Sequence, residues 1–272
     1  MTWADMPEPK FPPISTAGWL RVAIRGLPLL LLFACGLAVF GLARLTERFV
    51  ARDARPASGW VAQVVCRGAL MTIGISYSVR GAPMMQAGAV VANHSSWLDI
   101  FALNAGQQVF FVSKAEVAAW PGIGWIVQAA GTLFIRRDRR DAAAQKAMFE
   151  ERLHAGHKLL FFPEGTSSDG QRILPFKSTL FAAFFVPGLL EISHIQPASL
   201  TYRAPADEAP SFYGWWGEME FGAHFLQMLS APRHGSVSLV LHPPLVVADF
   251  DDRKALAAAC EAAVRGNLDL RL

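Results

Sequence analysis

The sequence contains few charged residues and few cysteines. Only 17% of its 272 residues are charged, whereas an average soluble protein has about 25%, and 53% are hydrophobic. This composition excludes an intrinsically disordered chain, a collagen, a coiled coil and a hydrophilic tail that binds nucleic acid. The three cysteines form no CxxC pair. We therefore expect neither a disulfide framework nor a zinc knuckle, and a reducing compartment fits the chain.

Long hydrophobic runs are also scarce, which argues against a polytopic transporter. The one stretch apolar enough to span a bilayer is 26–43, which carries no charge. As a helix it would be about 27 Å long, close to the hydrocarbon thickness of about 30 Å. A signal peptide is the competing interpretation, but no A-x-A site follows the run. A second apolar stretch, 60–77, is interrupted by Arg67 and predicts either the returning half of a helical hairpin or an amphipathic core helix.

Positive charge is concentrated at the N-terminus. Residues 1–80 contain nine basic and four acidic residues, although the net charge of the whole chain is only +3. An apolar, basic segment of this kind is typical of contact with an anionic membrane surface rather than with nucleic acid. The excess of arginine after the apolar run places the rest of the chain in the cytoplasm under the positive-inside rule. We therefore expect residues 1–80 to anchor a separate domain, 81–272, to the membrane.

After residue 80, short apolar runs alternate with longer helical patterns. The runs that predict strands are 87–92, 108–112, 132–135, 158–162, 195–202 and 236–241, and the patterns that predict helices are 97–105, 117–128, 139–154, 178–190 and 252–268. This alternation predicts an α/β domain, with a central, largely parallel sheet flanked by helices and an N-terminal membrane-associated helix or hairpin before it. In such sheets the functional site lies beyond the carboxyl ends of the strands.

Residues with useful chemistry follow two of the predicted strands. His94 comes just after 87–92, and Asp99, about one helical turn further on, can turn back to the imidazole ring. Such a carboxylate fixes the tautomer of the histidine and stabilises its cation. Glu164 and Gly165 follow 158–162 and place a carboxylate and backbone amides at the same edge. Together they predict one site at the rim of the sheet.

Arginines follow a third predicted strand. Arg136 and Arg137 come after 132–135 and can bind an anion at the same edge of the sheet. The remaining histidines share no ligand spacing with acidic residues or cysteines, so no metal is expected.

Four short motifs occur in order along the chain. They are Asn93-His94 with Asp99 (NHx4D), Gly131 to Arg137 (G-x-x-x-I-x-R), Phe162-Pro163-Glu164-Gly165-Thr166, and Ile195-Gln196-Pro197. In sequence and spacing they resemble the glycerolipid acyltransferase family, whose best-known members are the bacterial 1-acylglycerol-3-phosphate acyltransferases. The resemblance covers about 85–202.

The resemblance implies transfer of a fatty acyl group from a thioester of acyl carrier protein or coenzyme A to the hydroxyl of a lysolipid. His94 would remove the hydroxyl proton and Asp99 would orient His94, with no covalent acyl-enzyme and no cofactor. Backbone N–H groups near Gly165 and Thr166 would stabilise the oxyanion. Membrane lipids would be partners, and the enzyme would lie on the cytoplasmic face of the bacterial inner membrane.

Two positions depart from the family pattern. Ser167 stands where the third motif commonly has an arginine that binds the acceptor phosphate. The family also often has a glycine shortly after Pro175-Phe176-Lys177, but here Ser178-Thr179-Leu180 follows. The stretch 162–181 resembles the lyso-ornithine lipid O-acyltransferase branch, whose acceptor has no glycerol phosphate. Arg137 or Lys177 would then pair with the ornithine carboxylate, and Glu164 or Asp169 with its amine.

Alternatives remain at the level of the sequence. The first is a 1-acylglycerol-3-phosphate acyltransferase, because Arg137 and Lys177 can also bind a phosphate. A thioesterase or hydrolase is less favoured, because a serine hydrolase should have a G-x-S-x-G elbow and none is present. An inactive membrane scaffold is less favoured because His94, Asp99 and Glu164 are all present. The aromatic stretch 212–219 is predicted to lie at the membrane interface, to line an acyl-chain tunnel or to pack in the core.

Overall fold

The computed structural model describes residues 3–50, 56–115, 132–135 and 142–269. The predicted helix 117–128, the glycine that opens the second motif, Arg136 and Arg137 lie outside the described residues.

Two N-terminal helices, α1 (Thr16–Val50) and α2 (Pro56–Ile73), pack against each other as a hairpin. Glycines bring the two backbones close together: a Cβ atom at Gly36 would lie 2.5 Å from Val65, and one at Gly68 would lie 2.9 Å from Leu32. The second apolar stretch is therefore the returning helix. It ends before residue 77, because Gly74 has a φ of 101°, a backbone conformation that commonly closes a helix.

One side of α1 is apolar and open to solvent along its whole length. Seven of its exposed large apolar residues lie on one face, three, four or eleven positions apart, and are Leu20, Ile24, Leu27, Leu31, Leu42, Leu45 and Phe49. Gly18, Leu29 and Glu47, on the opposite face, are buried. Among the described residues, α1 is the one helix long and apolar enough to cross a membrane. This surface associates the protein with membranes.

Both open ends of the hairpin are attached to the rest of the protein. Arg25 near the start of α1 donates hydrogen bonds to the carbonyls of Leu229 and Ala231 at 2.8 and 2.6 Å, and Arg21 donates to Ser230 at 3.2 Å. These carbonyls lie at the end of a later helix, where cations are favoured. At the other end, α2 runs directly into the first strand.

The remaining elements form an α/β domain. Its strands are β1 (Ser76–Arg80), β2 (Gly88–Ala92), β3 (Phe110–Lys114), β4 (Leu133–Ile135), β5 (Lys158–Phe161), β6 (His194–Arg203), β7 (Ser236–Leu241) and β8 (Leu245–Val246). Its helices are α3 (Asp99–Gly106), α4 (Ala142–His154), α5 (Phe221–Ser230) and α6 (Arg253–Asp269), with 3-10 helices at Ser178–Phe184 and Val247–Asp249.

The strands of the described residues lie in one sheet with the order β1-β7-β6-β2-β5-β3-β4, and β8 pairs with β6. β6, β2, β5, β3 and β4 run parallel to one another, whereas β7 and β8 pair antiparallel with β6. The prediction of a largely parallel sheet is confirmed. The carboxyl ends of β2 and β5 are neighbours at its centre.

Both faces of the sheet are covered, as parallel strands require. Val90 and Ala92 of β2 pack into a cluster with buried residues of α2 and α3. Ala89 and Val91 point to the other face and pack with Leu153 of α4, with α6 and with the longer 3-10 helix. Every residue of β2 is buried, so a loop that leaves this strand starts from a fixed position.

Some elements differ from the sequence predictions. β1 and α5 were not predicted, and the predicted helix 178–190 is a 3-10 helix that ends at Phe184. β1 lies within the predicted anchoring segment but pairs with β7 in the sheet. The predicted division of the chain at residue 80 into an anchor and a catalytic domain stays a prediction.

Candidate active site

The loop after β2 is fixed by a side chain that bonds to β6, the neighbour of β2 in the sheet. Asn93 donates from Nδ2 to the carbonyl of Leu200 at 2.9 Å and accepts from the Leu200 N–H at 2.8 Å. The backbone therefore leaves the sheet at a defined point, with His94 as its next residue.

Asp99, the first residue of α3, holds the histidine. Its Oδ2 atom lies 2.7 Å from His94 Nδ1 and accepts hydrogen bonds from the N–H groups of Ser95 and Ser96 at 2.7 and 3.1 Å. Its Oδ1 atom accepts from the Tyr202 hydroxyl at 2.8 Å. Burial, together with the charge of Asp99, raises the pKa of Tyr202 well above its usual range, so this hydroxyl keeps its proton and donates. The structure thus brings His94 and Asp99 together as predicted.

The other edge of the imidazole is available for substrate. The His94 ring stacks on Phe162 with a centroid distance of 3.9 Å and an interplanar angle of 9°. The side chain is 20% exposed, and within the described part of the chain its Nε2 atom has no hydrogen-bond partner. A ring held by Asp99 through Nδ1 presents Nε2 as a base.

Glu164 joins the two loops that form the site. Its Oε1 atom accepts from the His94 N–H at 2.7 Å and its Oε2 atom from the Leu174 N–H at 2.9 Å. Burial raises the pKa of Glu164 to about 8, and the charge of Asp99 adds to the rise although the two backbone donors oppose it. This geometry favours a role for Glu164 in holding the two loops together rather than the predicted role in contacting substrate.

The turn after Glu164 brings two other predicted residues together. Gly165 has a φ of 73°, and its N–H donates to the Phe162 carbonyl at 3.0 Å, so this amide is not available to an oxyanion. The amide of Thr166 makes no hydrogen bond within the described residues. Lys177 lies against the turn, because a Cβ atom at Gly165 would be 2.8 Å from its Nζ atom.

Asp169 is already paired. Its buried carboxylate lies 3.2 Å from Nε and 3.0 Å from Nη2 of Arg172, and it also accepts from the N–H of Gln171. The expected pairing of Asp169 with a substrate amine is wrong, because both of its oxygens face this arginine.

The aromatic stretch 212–219 packs in the core. Tyr213, Trp216 and Met219 are buried, and the N–H of Trp215 donates to the Ser95 carbonyl at 2.8 Å. Of the three alternatives left open by the sequence, the structure favours packing in the core. Among the described residues, no group of three or more His, Cys, Asp or Glu side chains is placed to hold a metal.

Tyr202, Trp3 and Arg172 belong to the site but were not found from the sequence. Tyr202 ends an apolar strand and has the pattern of a core residue. Trp3 lies in a Pro-rich segment far from every motif, although its N–H donates to Thr166 Oγ1 at 3.2 Å. No local signal marks Tyr202 or Trp3, because each reaches the site through the fold, whereas Arg172 lies in the loop directly after the third motif.

A histidine–aspartate pair at the carboxyl ends of parallel strands, beside a glutamate-glycine turn, is the arrangement expected of an acyltransferase that uses a general base. The acyltransferase family model matches residues 78–197. Together with a relative that is 53% identical over nearly the whole chain, this match shows that the chain belongs to this family and is an acyltransferase.

Relatives match almost the whole chain. It is 53% identical to a lyso-ornithine lipid O-acyltransferase from Rhodobacter capsulatus, over 98% of this chain and 96% of that protein. It is 35% identical to another from Pseudomonas aeruginosa, over 90% of this chain and 93% of that protein. The crystal structure of the 1-acyl-sn-glycerophosphate acyltransferase from Thermotoga maritima has the same fold. It gives a TM-score of 0.63 at 21% identity and covers 93% of this chain and 97% of that one.

Proposed function

We propose that the protein transfers a fatty acyl group from a thioester to the hydroxyl of lyso-ornithine lipid, with His94 as general base. The observation that carries the chemistry is the His94–Asp99 hydrogen bond of 2.7 Å, which occupies Nδ1 and leaves Nε2 without a hydrogen-bond partner among the described residues. The names of the relatives from R. capsulatus and P. aeruginosa support the acceptor.

The reaction needs one proton to move twice. Nε2 of His94 takes the proton of the acceptor hydroxyl while the oxygen attacks the thioester carbonyl, and the buried Asp99 carboxylate stabilises the resulting imidazolium. The oxygen of the tetrahedral intermediate is negative, and the Thr166 amide, which makes no hydrogen bond within the described residues, is available to stabilise it. Collapse breaks the carbon–sulfur bond, and the thiolate takes the proton back from His94. The products are an ester and a thiol.

The acceptor proposal has support from position 167. A phosphomonoester carries nearly two negative charges and is best held by a bidentate guanidinium, but this chain has Ser167 there. The head group of lyso-ornithine lipid has one carboxylate and one amine. Lys177, which no described carboxylate pairs, is available for the carboxylate. Arg137 remains a proposed partner outside the described residues.

With purified enzyme in detergent, we expect kcat/KM for lyso-ornithine lipid to exceed that for 1-acylglycerol-3-phosphate by about 10- to 150-fold, the value of one charge-assisted hydrogen bond. Each acceptor is assayed with acyl-carrier-protein and coenzyme A thioesters, because the thioester chemistry is common to both donors. A higher efficiency with 1-acylglycerol-3-phosphate would refute the acceptor and leave acyl transfer standing. Release of free fatty acid without transfer would instead identify a thioesterase. The unmodified enzyme is the better test than Ser167→Arg, because Ser167 is only 7% exposed and an arginine would disturb its packing.

We infer that the helical hairpin enters one leaflet and returns, so that the α/β domain lies on the cytoplasmic face of the inner membrane. Both open ends of the hairpin are attached to the same domain, through Arg25 at the start of α1 and β1 after α2.

Replacing Leu27, Leu31 and Leu42 together by glutamate is expected to release the protein from membranes. These leucines are exposed, so the core keeps its packing, and each loses about 1.5–3 kcal/mol of burial in lipid. The partition coefficient should fall about 1000-fold or more, as measured by flotation with vesicles that contain anionic lipid. Met85→Glu, an equally exposed position outside the hairpin, is the control and should float normally. Full flotation of a folded triple variant would show that another surface anchors the protein.

A further inference from the structure

Arg172 is held in place from two sides. Its Nε and Nη2 atoms bind the two oxygens of the buried Asp169 at 3.2 and 3.0 Å. Its guanidinium carbon lies 5.1 Å from the ring centroid of Trp3, which is itself buried. The side chain is nevertheless 45% exposed, and its Nη1 atom has no hydrogen-bond partner within the described part of the chain. One edge of an oriented guanidinium is therefore presented to solvent.

The Arg172 guanidinium belongs to the loop 168–172, which packs against the loop that carries His94. The N–H of Ser168 donates to the His94 carbonyl at 3.0 Å, and its hydroxyl donates to the Arg172 carbonyl at 3.3 Å. A Cβ atom at Gly170 would lie 3.3 Å from Ser95. The loop 168–172 is thus bound to the backbone of the histidine that takes the proton in the proposed reaction.

The aromatic platform under the guanidinium is tied to the same turn. The N–H of Trp3 donates to Thr166 Oγ1 at 3.2 Å, and its ring packs against Trp216 with a centroid distance of 6.2 Å. Trp3 is 163 residues from Thr166 in sequence, and it connects Arg172 to the glutamate-glycine turn. Arg172 and its aromatic platform are thus attached to both loops of the site, and the exposed edge of the guanidinium is open to a head group that binds there.

We propose that Arg172 binds the anionic group of the acceptor head and so determines acceptor specificity. The proposal rests on the proposed function, in which that anion is the ornithine carboxylate. Arg172 would perform, from the other end of the loop, the task of the arginine absent at position 167. Because Asp169 neutralises part of the charge of Arg172, the pair suits an anion with one negative charge, such as a carboxylate, better than a phosphate dianion.

The test is Arg172→Gln, assayed with both acceptors and with the acyl donor varied separately. The KM for lyso-ornithine lipid should rise about 10- to 150-fold, whereas kcat and the KM for the donor should stay within about twofold. Arg253→Gln is the matched control, because this arginine starts α6 beyond the amino end of β6, at the opposite edge of the sheet. It should leave all three constants unchanged.

A purely structural role for the ion pair predicts a different result. It would lower the melting temperature and kcat together and leave the acceptor KM unchanged, and this outcome would overturn the proposal. If Arg172→Gln does not fold, Trp3→Leu decides, since it removes the platform and leaves the Arg172–Asp169 pair in place: the acceptor KM should rise about 3- to 10-fold, and no rise refutes the proposal. If the wild-type enzyme prefers 1-acylglycerol-3-phosphate, the proposed acceptor is wrong. A rise in KM for that lipid in Arg172→Gln would still identify Arg172 as the head-group residue, and its absence would refute both.

Discussion

Replacing His94 with alanine is expected to lower kcat by about 10²–10⁴-fold, the usual contribution of a positioned general base. The protein should still fold. Within the described part of the chain, the interactions of the His94 ring are with Asp99 and the face of Phe162, and the Asp99 carboxylate keeps its hydrogen bonds from Ser95, Ser96 and Tyr202. A rate loss without a stability loss is therefore the expected signature.

The measurement is turnover of an acyl thioester with lysolipid, together with the melting temperature of each variant. His194→Ala is the control, because His194 is at the amino end of β6, opposite the site, and its nearest partner is the Ile192 carbonyl at 3.4 Å. Near-wild-type turnover of the His94 variant would remove this residue from the mechanism.

The central part of the fold could be predicted because its signals are local. β2 and β5 are short apolar runs, and the functional residues follow them directly in sequence. His94 and Asp99 are five residues apart, so one turn at the start of α3 is enough to bring them together. The same is true of Glu164 and the turn that follows it.

The rest depends on contacts between distant parts of the chain. Tyr202 reaches Asp99 across 103 residues, and nothing in its own strand marks it as different from a core tyrosine. Arg21 and Arg25 have the pattern of charges that flank a membrane helix, yet both bind carbonyls at the end of α5. β1 was missed because its sequence, Ser-Tyr-Ser-Val-Arg, is polar at alternate positions, as an edge strand allows.

The second large effect is expected for Asp99→Asn. The carboxylate of Asp99 accepts three hydrogen bonds at Oδ2 and one at Oδ1, so asparagine can place its single oxygen at only one of these positions. With the oxygen toward His94, the amide NH2 faces the Tyr202 hydroxyl, which can rotate and accept. The fold then survives, but the imidazolium formed during the reaction has lost its negative partner. With the amide reversed, NH2 donates to Nδ1 and forces the proton onto Nε2, where no base remains.

Both orientations slow the same step, and we expect Asp99→Asn to lower kcat by about 10²–10⁴-fold with little change in the KM for either substrate. Tyr202→Phe is the matched comparison, since it removes one of the four donors to Asp99 and leaves the charge. It should cost only about 10-fold, which corresponds to about 1.4 kcal/mol or one hydrogen bond. Equal losses in the two variants would mean that the orientation of the carboxylate, and not its charge, supports His94. Full activity of a folded Asp99→Asn enzyme would show that His94 acts without Asp99.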